Sequence, residues 1–218
     1  MIAVPVLIPV NRLDRAKGRL ADLLTPDERR TLSTITLEAV LHAAGTSAIV
    51  LTPDPEVRQR VGKRARLMEE DPKRRGLNEQ LEGAVEALVA DGTAGSGLLI
   101  LHGDLPLASE ESLDVLAAES SPNTAVMVES RDGGTNAMLM RPAGVFGLAY
   151  GPGSFAKHTK AATKAGMAVV ANTNRELRLD LDTPDDIREL LRAPRGRQGA
   201  AGVFLLSIGI EERLERFK

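Results

Sequence analysis

Two hydrophobic rhythms take turns along this chain. Short apolar runs at residues 2–9, 48–52, 98–101, 124–130, 137–141 and 168–172 read as strands. The run Leu98-Leu99-Ile100-Leu101 has no polar residue to turn toward water, so it fits a strand buried on both faces, as in a parallel sheet. Between the runs lie stretches whose apolar residues recur three and four apart, the period of a helix packed by one face. Leu32, Ile35, Leu37 and Val40 form one such set, and Leu77, Leu81, Val85 and Leu88 another. Thr25-Pro26-Asp27-Glu28 combines a capping box with Pro at the first helical position, and Gly45 ends the helix it starts. Further helices are predicted from about Pro55, after Ser109, over Phe155–Ala165, and from Thr183-Pro184 through Leu191, with a short strand near Leu67. The regular β-α alternation predicts an α/β fold, and the length fits one large domain.

Near the C-terminus the rhythm changes. Leu177, Leu179 and Leu181 alternate with Arg178, Asp180 and Asp182, so the two carboxylates are expected on one face of a strand. Like charges side by side are unfavourable without a cation between them. The main domain is expected over residues 1–192, with 193–218 as an extension. In it, Arg195–Gly199 resembles a linker, and Gly202–Ile210 adds an edge strand or meets a second copy in a homodimer.

Candidate chemistry collects at strand ends. Asp104, fixed by Leu105-Pro106, emerges where the run 98–101 stops, the place where ligands gather in open α/β sheets; it reads as a metal ligand, a catalytic group or a solvated turn residue. After the first strand, Arg12, Arg15, Lys17 and Arg19 put four cations within eight positions, enough to neutralise a triphosphate or simply to form a solvated basic turn. Gly76-Leu77-Asn78 opens a helix with an amide that can read a base edge or a phosphate, or cap nothing at all. Asp132-Gly133-Gly134 leads into Thr135 and Asn136, with room for a ligand beside the glycines or an ordinary hairpin. Gly151-Pro152-Gly153-Ser154 precedes a helix, offering free amides and a hydroxyl to an anion, or plain capping by Ser154.

Composition narrows the choices. With 28 basic and 30 acidic residues, one Tyr and no Trp, the chain has neither the charge nor the stacking platform for nucleic acid. It has no Cys, which excludes disulfides, thiolate metal sites and a Cys nucleophile. The first apolar run is broken by Pro5 and Pro9 and lacks a basic leader, so it reads as neither signal peptide nor membrane span, and a cytoplasmic protein is expected. Asp104, Asp180 and Asp182 together offer oxygen ligands suited to Mg²⁺.

Taken in order, Arg15-Ala16-Lys17-Gly18-Arg19-Leu20, Gly76-Leu77-Asn78, Gly103-Asp104-Leu105-Pro106, Gly134-Thr135-Asn136-Ala137, Gly151-Pro152-Gly153-Ser154-Phe155 with His158, and Asp180-Leu181-Asp182-Thr183-Pro184 resemble the 2-phospho-L-lactate guanylyltransferase family over roughly residues 2–192. The resemblance implies a single-domain nucleotidyltransferase fold of the nucleotide-diphospho-sugar transferase, GT-A-like kind, with a mostly parallel mixed sheet flanked by helices. It implies GMP transfer from GTP to a small phosphorylated three-carbon acid in coenzyme F-420 biosynthesis, with release of pyrophosphate. By that likeness Asp104, Asp180 and Asp182 carry Mg²⁺, Lys17 and Arg19 act on the triphosphate with Asn78 near the nucleotide, and Thr135, Asn136, Gly151 and Ser154 hold the acceptor. The chain departs from the pattern at Asn11, where similar proteins commonly carry Lys, and at His102-Gly103, where Ala is usual before the Asp.

The inventory suits this chemistry, because a phosphate already ionised near pH 7 attacks without a general base. His158 is therefore left outside the catalytic set, as a packed or surface side chain. Two other readings share the evidence. One is another transferase of the same fold, acting on molybdenum cofactor or sugar phosphates, although Val10–Leu20 contains only Gly18 where those have a Gly-rich loop. The other is a nucleotide-binding regulator without turnover.

Overall fold

The structure, a computed structural model, describes residues 4–217, the Arg15 side chain excepted. Part of the expected first strand, Ile2 and Ala3, lies outside the described residues. In chain order the elements are β1 (Val6–Pro9), α1 (Pro26–Ala44), β2 (Ala48–Leu51), α2 (Pro55–Val61), β3 (Arg66–Met68), α3 (Gly76–Ala90), β4 (Leu98–Leu101), α4 (Glu110–Ala118), β5 (Thr124–Glu129), β6 (Thr135–Arg141), α5 (Ser154–Lys164), β7 (Ala168–Asn172), α6 (Arg175–Arg178), α7 (Pro184–Arg192), α8 (Pro194–Gln198), α9 (Ala200–Ser207) and α10 (Ile210–Arg216). Two short 3-10 turns, Leu13–Arg15 and Gly18–Leu20, follow β1.

The strands form one seven-stranded sheet in the order β3-β2-β1-β4-β6-β5-β7. Only β6 runs antiparallel to its neighbours, β4 and β5. Strand β4 is buried at every residue, as its uninterrupted apolar run requires. Alternate residues feed two cores. Ile8, Val50, Leu99, Leu101 and Leu139 pack with Leu37 and Val40 of α1 and Leu113 of α4 on one face. Leu7, Ile100, Met127, Met138 and Met140 pack with Leu81, Val85 and Leu88 of α3 on the other. Leu77 departs from the expected face of α3: it is 43% exposed and stands at the rim of a cleft.

Two expectations about the C-terminal part are corrected. The Leu177–Leu181 stretch is no strand: Asn174 accepts from the N–H groups of Glu176 and Leu177 and caps the single turn α6, after which the chain runs irregularly without a sheet partner. Its alternation is still real, because Leu177, Leu179 and Leu181 are all buried. Nor is Gly202–Ile210 an edge strand. Its apolar run folds as α9, and Leu205, Ile210 and Leu214 join Leu20, Leu24, Leu32, Ile187 and Leu190 in a third apolar cluster. A Cβ on Gly202 would collide with the main-chain carbonyls of Gly196 and Arg197, and one on Gly196 with the Leu190 carbonyl, so glycine at 202 lets α9 close on α8 and glycine at 196 lets α8 close on α7. Residues 193–217 are thereby packed onto α1 and α7.

Candidate active site

Strand order reverses between β1 and β4: β2 and β3 extend the sheet on one side of β1, and β4 begins the other side. The crevice beyond the carboxyl ends of these two strands is where an open α/β sheet holds its ligands. It is lined by the loop after β1 and by His102, Gly103 and Asp104 after β4. The resulting cleft has a volume of about 460 Å³ and also takes in Glu70, Gly76, Leu77 and Asp182.

The β1 loop is held from below. Asp54 caps α2 through Oδ1, accepting from Glu56 and Val57, while its Oδ2 accepts from Leu13 N–H at 2.8 Å. Burial pushes this carboxyl up, but the three N–H donors outweigh it and hold it below its ordinary value. Further along, Lys17 adopts a left-handed backbone (φ 54°, ψ 42°), uncommon for a side chain of its size. Its ammonium is anchored at the far side of the cleft, donating to the Leu181 carbonyl at 2.8 Å.

Around that ammonium stand three carboxylates. Oxygens of Asp104, Asp180 and Asp182 lie within 4.8 Å of one another, the one such acidic or histidine-containing group among the described residues. Lys17 Nζ is 4.0 Å from Asp104 Oδ2 and 3.9 Å from Asp182 Oδ1. Asp180 is pushed up to about 7 by burial and then by its neighbours Asp104 and Asp182. Asp182 is raised by burial and Asp104, against the opposing pull of Lys17 and Arg19. Asp104 Oδ1 is buried with no hydrogen-bond partner. Three carboxylates against one ammonium leave about two negative charges uncompensated in an all-oxygen donor set, which fits a divalent hard cation such as Mg²⁺.

The other expected residues fall into distinct places. Arg19 lies behind the acidic group, in a shallow depression with Arg131, Asp132, Asp180 and Asp186, and its guanidinium is 3.8 Å from Asp132. Asn136 is buried and donates to the carbonyls of Leu177 (3.2 Å) and Arg178 (3.0 Å), with Asp180 Oδ1 at 3.5 Å, so it holds the segment that carries the carboxylates. Thr135, its neighbour on β6, faces the opposite side of the sheet, as strand alternation requires. There Ser154 Oγ lies 3.1 Å and His158 Nδ1 3.0 Å from Thr135 Oγ1, all three buried. Capping of α5 falls to Gly153, leaving the Ser154 hydroxyl to Thr135. Gly151, at φ 121°, has open space where a side chain would project. Asn78 is held by main chain through both ends of its amide: it accepts from Tyr150 N–H at 2.7 Å and donates to the Tyr150 carbonyl at 3.1 Å, tying α3 to the Gly151 turn.

Several groups at the site were not singled out by sequence reasoning. Asp186 reads as a capping-box residue and does accept from Thr183, yet it also pairs with Arg131 at 3.0 Å beside the acidic group. Glu70 lines the cleft with a carboxylate that makes no hydrogen bond or ion pair among the described residues, and nothing in the local sequence distinguishes it from neighbouring surface acids. At His102-Gly103, a methyl on Gly103 would meet Val10, Ile8 and Leu37 at ordinary contact distances, so the usual Ala would fit. His102 packs its ring 5.2 Å from that of Tyr150.

A phosphate-compatible cleft and an acidic group at the β1/β4 switch point are the working parts of a nucleotidyltransferase. The same fold recurs in a solved structure from Desulfovibrio desulfuricans G20 assigned as a nucleotide-diphospho-sugar transferase, with a TM-score of 0.78 over 100% of this chain and 99% of that one at 16% identity. The family model described as "Guanylyl transferase CofC like" matches residues 4–217, and the chain belongs to that family. It is 38% identical, over 87% of its length and 94% of the relative's, to a phosphoenolpyruvate guanylyltransferase of Sphaerobacter thermophilus. To a 2-phospho-L-lactate guanylyltransferase of Methanocaldococcus jannaschii it is 24% identical, over 96% and 91% of the two chains. No helix among the described residues is long and apolar enough to cross a membrane.

Proposed function

We propose that this guanylyltransferase joins GMP from GTP to the phosphate of phosphoenolpyruvate or 2-phospho-L-lactate, releasing pyrophosphate, as a cytoplasmic step of coenzyme F-420 biosynthesis. The observation that carries the reading is the group of Asp104, Asp180 and Asp182 facing the buried Lys17 ammonium at a strand-end cleft. In the transfer, an oxygen of the acceptor phosphate forms a bond to the α-phosphorus of GTP while the bond from that phosphorus to the β-bridging oxygen breaks. The acceptor is already an anion, so no residue need remove a proton. Asp104, Asp180 and Asp182 would hold Mg²⁺, which when bound offsets phosphate charge and aligns its oxygens.

The chain's own residues do the rest. Lys17, anchored on Leu181, presents a fixed positive charge to the triphosphate, and Arg19 extends that field from the rear of the acidic group. Glu70 offers a carboxylate suited to the N1–H and amino donors of guanine, donors that adenine does not present in that pattern. Asn78 serves the nucleotide side by ordering the turn at Tyr150. Thr135, Gly151 and Ser154 take the carboxylate and phosphate of the acceptor, and Asn136 keeps Asp180 in place.

Incubating the protein and Mg²⁺ with GTP or ATP and each of phosphoenolpyruvate, 2-phospho-L-lactate and 3-phosphoglycerate tests this, read by product mass and pyrophosphate release. A GMP adduct of one of the first two acids, lost in Asp104→Asn, is the expected result. GTP binding without pyrophosphate release under every acceptor would instead identify a nucleotide-binding regulator.

A further inference from the structure

We propose that His158 is a positioning residue for the acceptor, setting the hydroxyl protons of Thr135 and Ser154 so that one of them is left to bond the acceptor's anionic oxygens. The proposal rests on the reading of Thr135 and Ser154 as acceptor-binding residues. It starts from a proton whose place is not negotiable. The main-chain N–H of Ala149 points at His158 Nε2 across 2.9 Å. An amide N–H only donates, so Nε2 must carry its lone pair there. The ring is fully buried and neutral, and its single proton therefore sits on Nδ1.

Nδ1–H then donates to Thr135 Oγ1 at 3.0 Å, and the two hydroxyls meet at 3.1 Å. Three protons, on Nδ1 and the two hydroxyls, serve two hydrogen bonds. One hydroxyl proton remains for an outside acceptor, whichever way the Thr135–Ser154 bond points. With the opposite tautomer the outcome reverses: a hydroxyl would donate to Nδ1, the other to it, and the pair would present lone pairs alone. An anion would meet repulsion instead of a donor. The imidazole thus decides whether the pair attracts or rejects a carboxylate or phosphate. The pair joins the start of β6 to the first turn of α5, directly after the exposed turn 151–153; the Ser154 and Phe155 N–H groups there already donate to the Gly151 and Gly133 carbonyls, so the spare hydroxyl proton is the donor the pair adds.

Two measurements test this. In the folded wild-type protein, nitrogen-resolved NMR of the three histidine rings, assigned against His158→Asn, should show His158 protonated at Nδ1. Protonation at Nε2 instead would overturn the proposal, and this reading needs no variant to be active. In kinetics, His158→Leu should raise the acceptor KM about ten-fold or more, the worth of one hydrogen bond to a charged group. GTP KM should stay within about two-fold, because the lost interaction is not with the nucleotide. His158→Asn, which can offer an N–H near the place of Nδ1, should restore most of the loss. Thr135→Val should raise the acceptor KM by itself, and His158→Leu should add little in that background. If Thr135→Val raises it and His158→Leu does not, the relay is wrong and the acceptor subsite stands. If neither raises it, the acceptor subsite itself is misplaced and the relay falls with it. Equal increases in both substrates' KM would reduce His158 to general packing and likewise overturn the proposal.

Discussion

The Lys17 ammonium and the Leu181 carbonyl, 164 residues apart in the chain, meet at 2.8 Å. Because Leu181 lies between Asp180 and Asp182, this bond fixes the β1 loop to the carboxylate segment and explains the left-handed backbone that Lys17 tolerates. Lys17→Met keeps the length of the side chain and removes both the charge and the bond. Turnover is expected to fall about 10²–10³-fold, the usual loss for one preorganised electrostatic contact. Circular dichroism should show a folded protein, so that the loss is assigned to the site.

Binding of a divalent ion to the acidic group should stabilise the fold by mass action. Mg²⁺ or Mn²⁺ at about one hundred times its Kd adds roughly 2.7 kcal/mol. A thermal-shift titration of wild type should therefore saturate, and Asp180→Asn should show little response. A rise in Tm of the same size in Asp180→Asn would place the ion elsewhere.

Asn136→Asp changes two N–H donors into an acceptor facing the Leu177 and Arg178 carbonyls and Asp180. Leaving buried carbonyls unpaired and adding a charge should destabilise by about 2–3 kcal/mol. Chemical denaturation should show that loss, accompanied by weaker Mg²⁺ stabilisation than in wild type.

At the opposite end of the chain, Arg213 donates to both carboxylate oxygens of Glu28, at 2.8 and 2.9 Å, and to the Leu23 carbonyl at 3.2 Å. This contact, with help from Thr25 and against the cost of burial, holds Glu28 down to about 2. A depressed carboxyl stabilises the fold above its ordinary 4.5, and the contribution fades as pH falls toward 2. Arg213→Met should cost about 1–2 kcal/mol in urea unfolding at neutral pH, with the deficit shrinking in acid. KM values for both substrates should not change.

His158 acts in the same direction at higher pH. Burial first, then the charges of His102 and Lys157, push it down to about 4 from 6.5. Tyr150, packed edge-on 4.7 Å away, is itself raised by burial and stays protonated across this range. The unfolded chain takes up the proton as pH falls through about 6.5 while the folded ring stays neutral, so folding stability drops between there and about 4. Going from about pH 7.5 to pH 5, the urea midpoint of wild type should fall further than that of His158→Asn, which carries no such group.

Local signals carried far in the strands and helix starts. Thr25, Ser109 and Thr183 cap helices where the sequence places them, because a cap is satisfied within four residues, and the structure adds Ser112 and Asp186 as the reciprocal partners of Ser109 and Thr183. The same locality misled at both ends of α7. Leu177, Leu179 and Leu181 alternate as a strand would, yet Asn174 caps a turn of helix directly after β7 and diverts the chain from the sheet. Gly202–Ile210 is apolar enough for a strand, yet it is helical from its start, with Gly202 against the α8 main chain and Leu205 and Ile210 in the third apolar cluster.

What the sequence determined by itself was the α/β alternation, the buried β4, and the three aspartates as the acidic set, since periodicity, capping and residue type are properties of short windows. Only the tertiary structure decided who meets whom. Strand order put the loop after β1 beside the end of β4, and a hydrogen bond over 164 residues set Lys17 among the carboxylates. Asn78 turned from a free amide into a brace for Tyr150, and His158 from a dispensable histidine into the partner of Thr135. Such pairings depend on closing long loops around a shared core, and no window of local sequence encodes them.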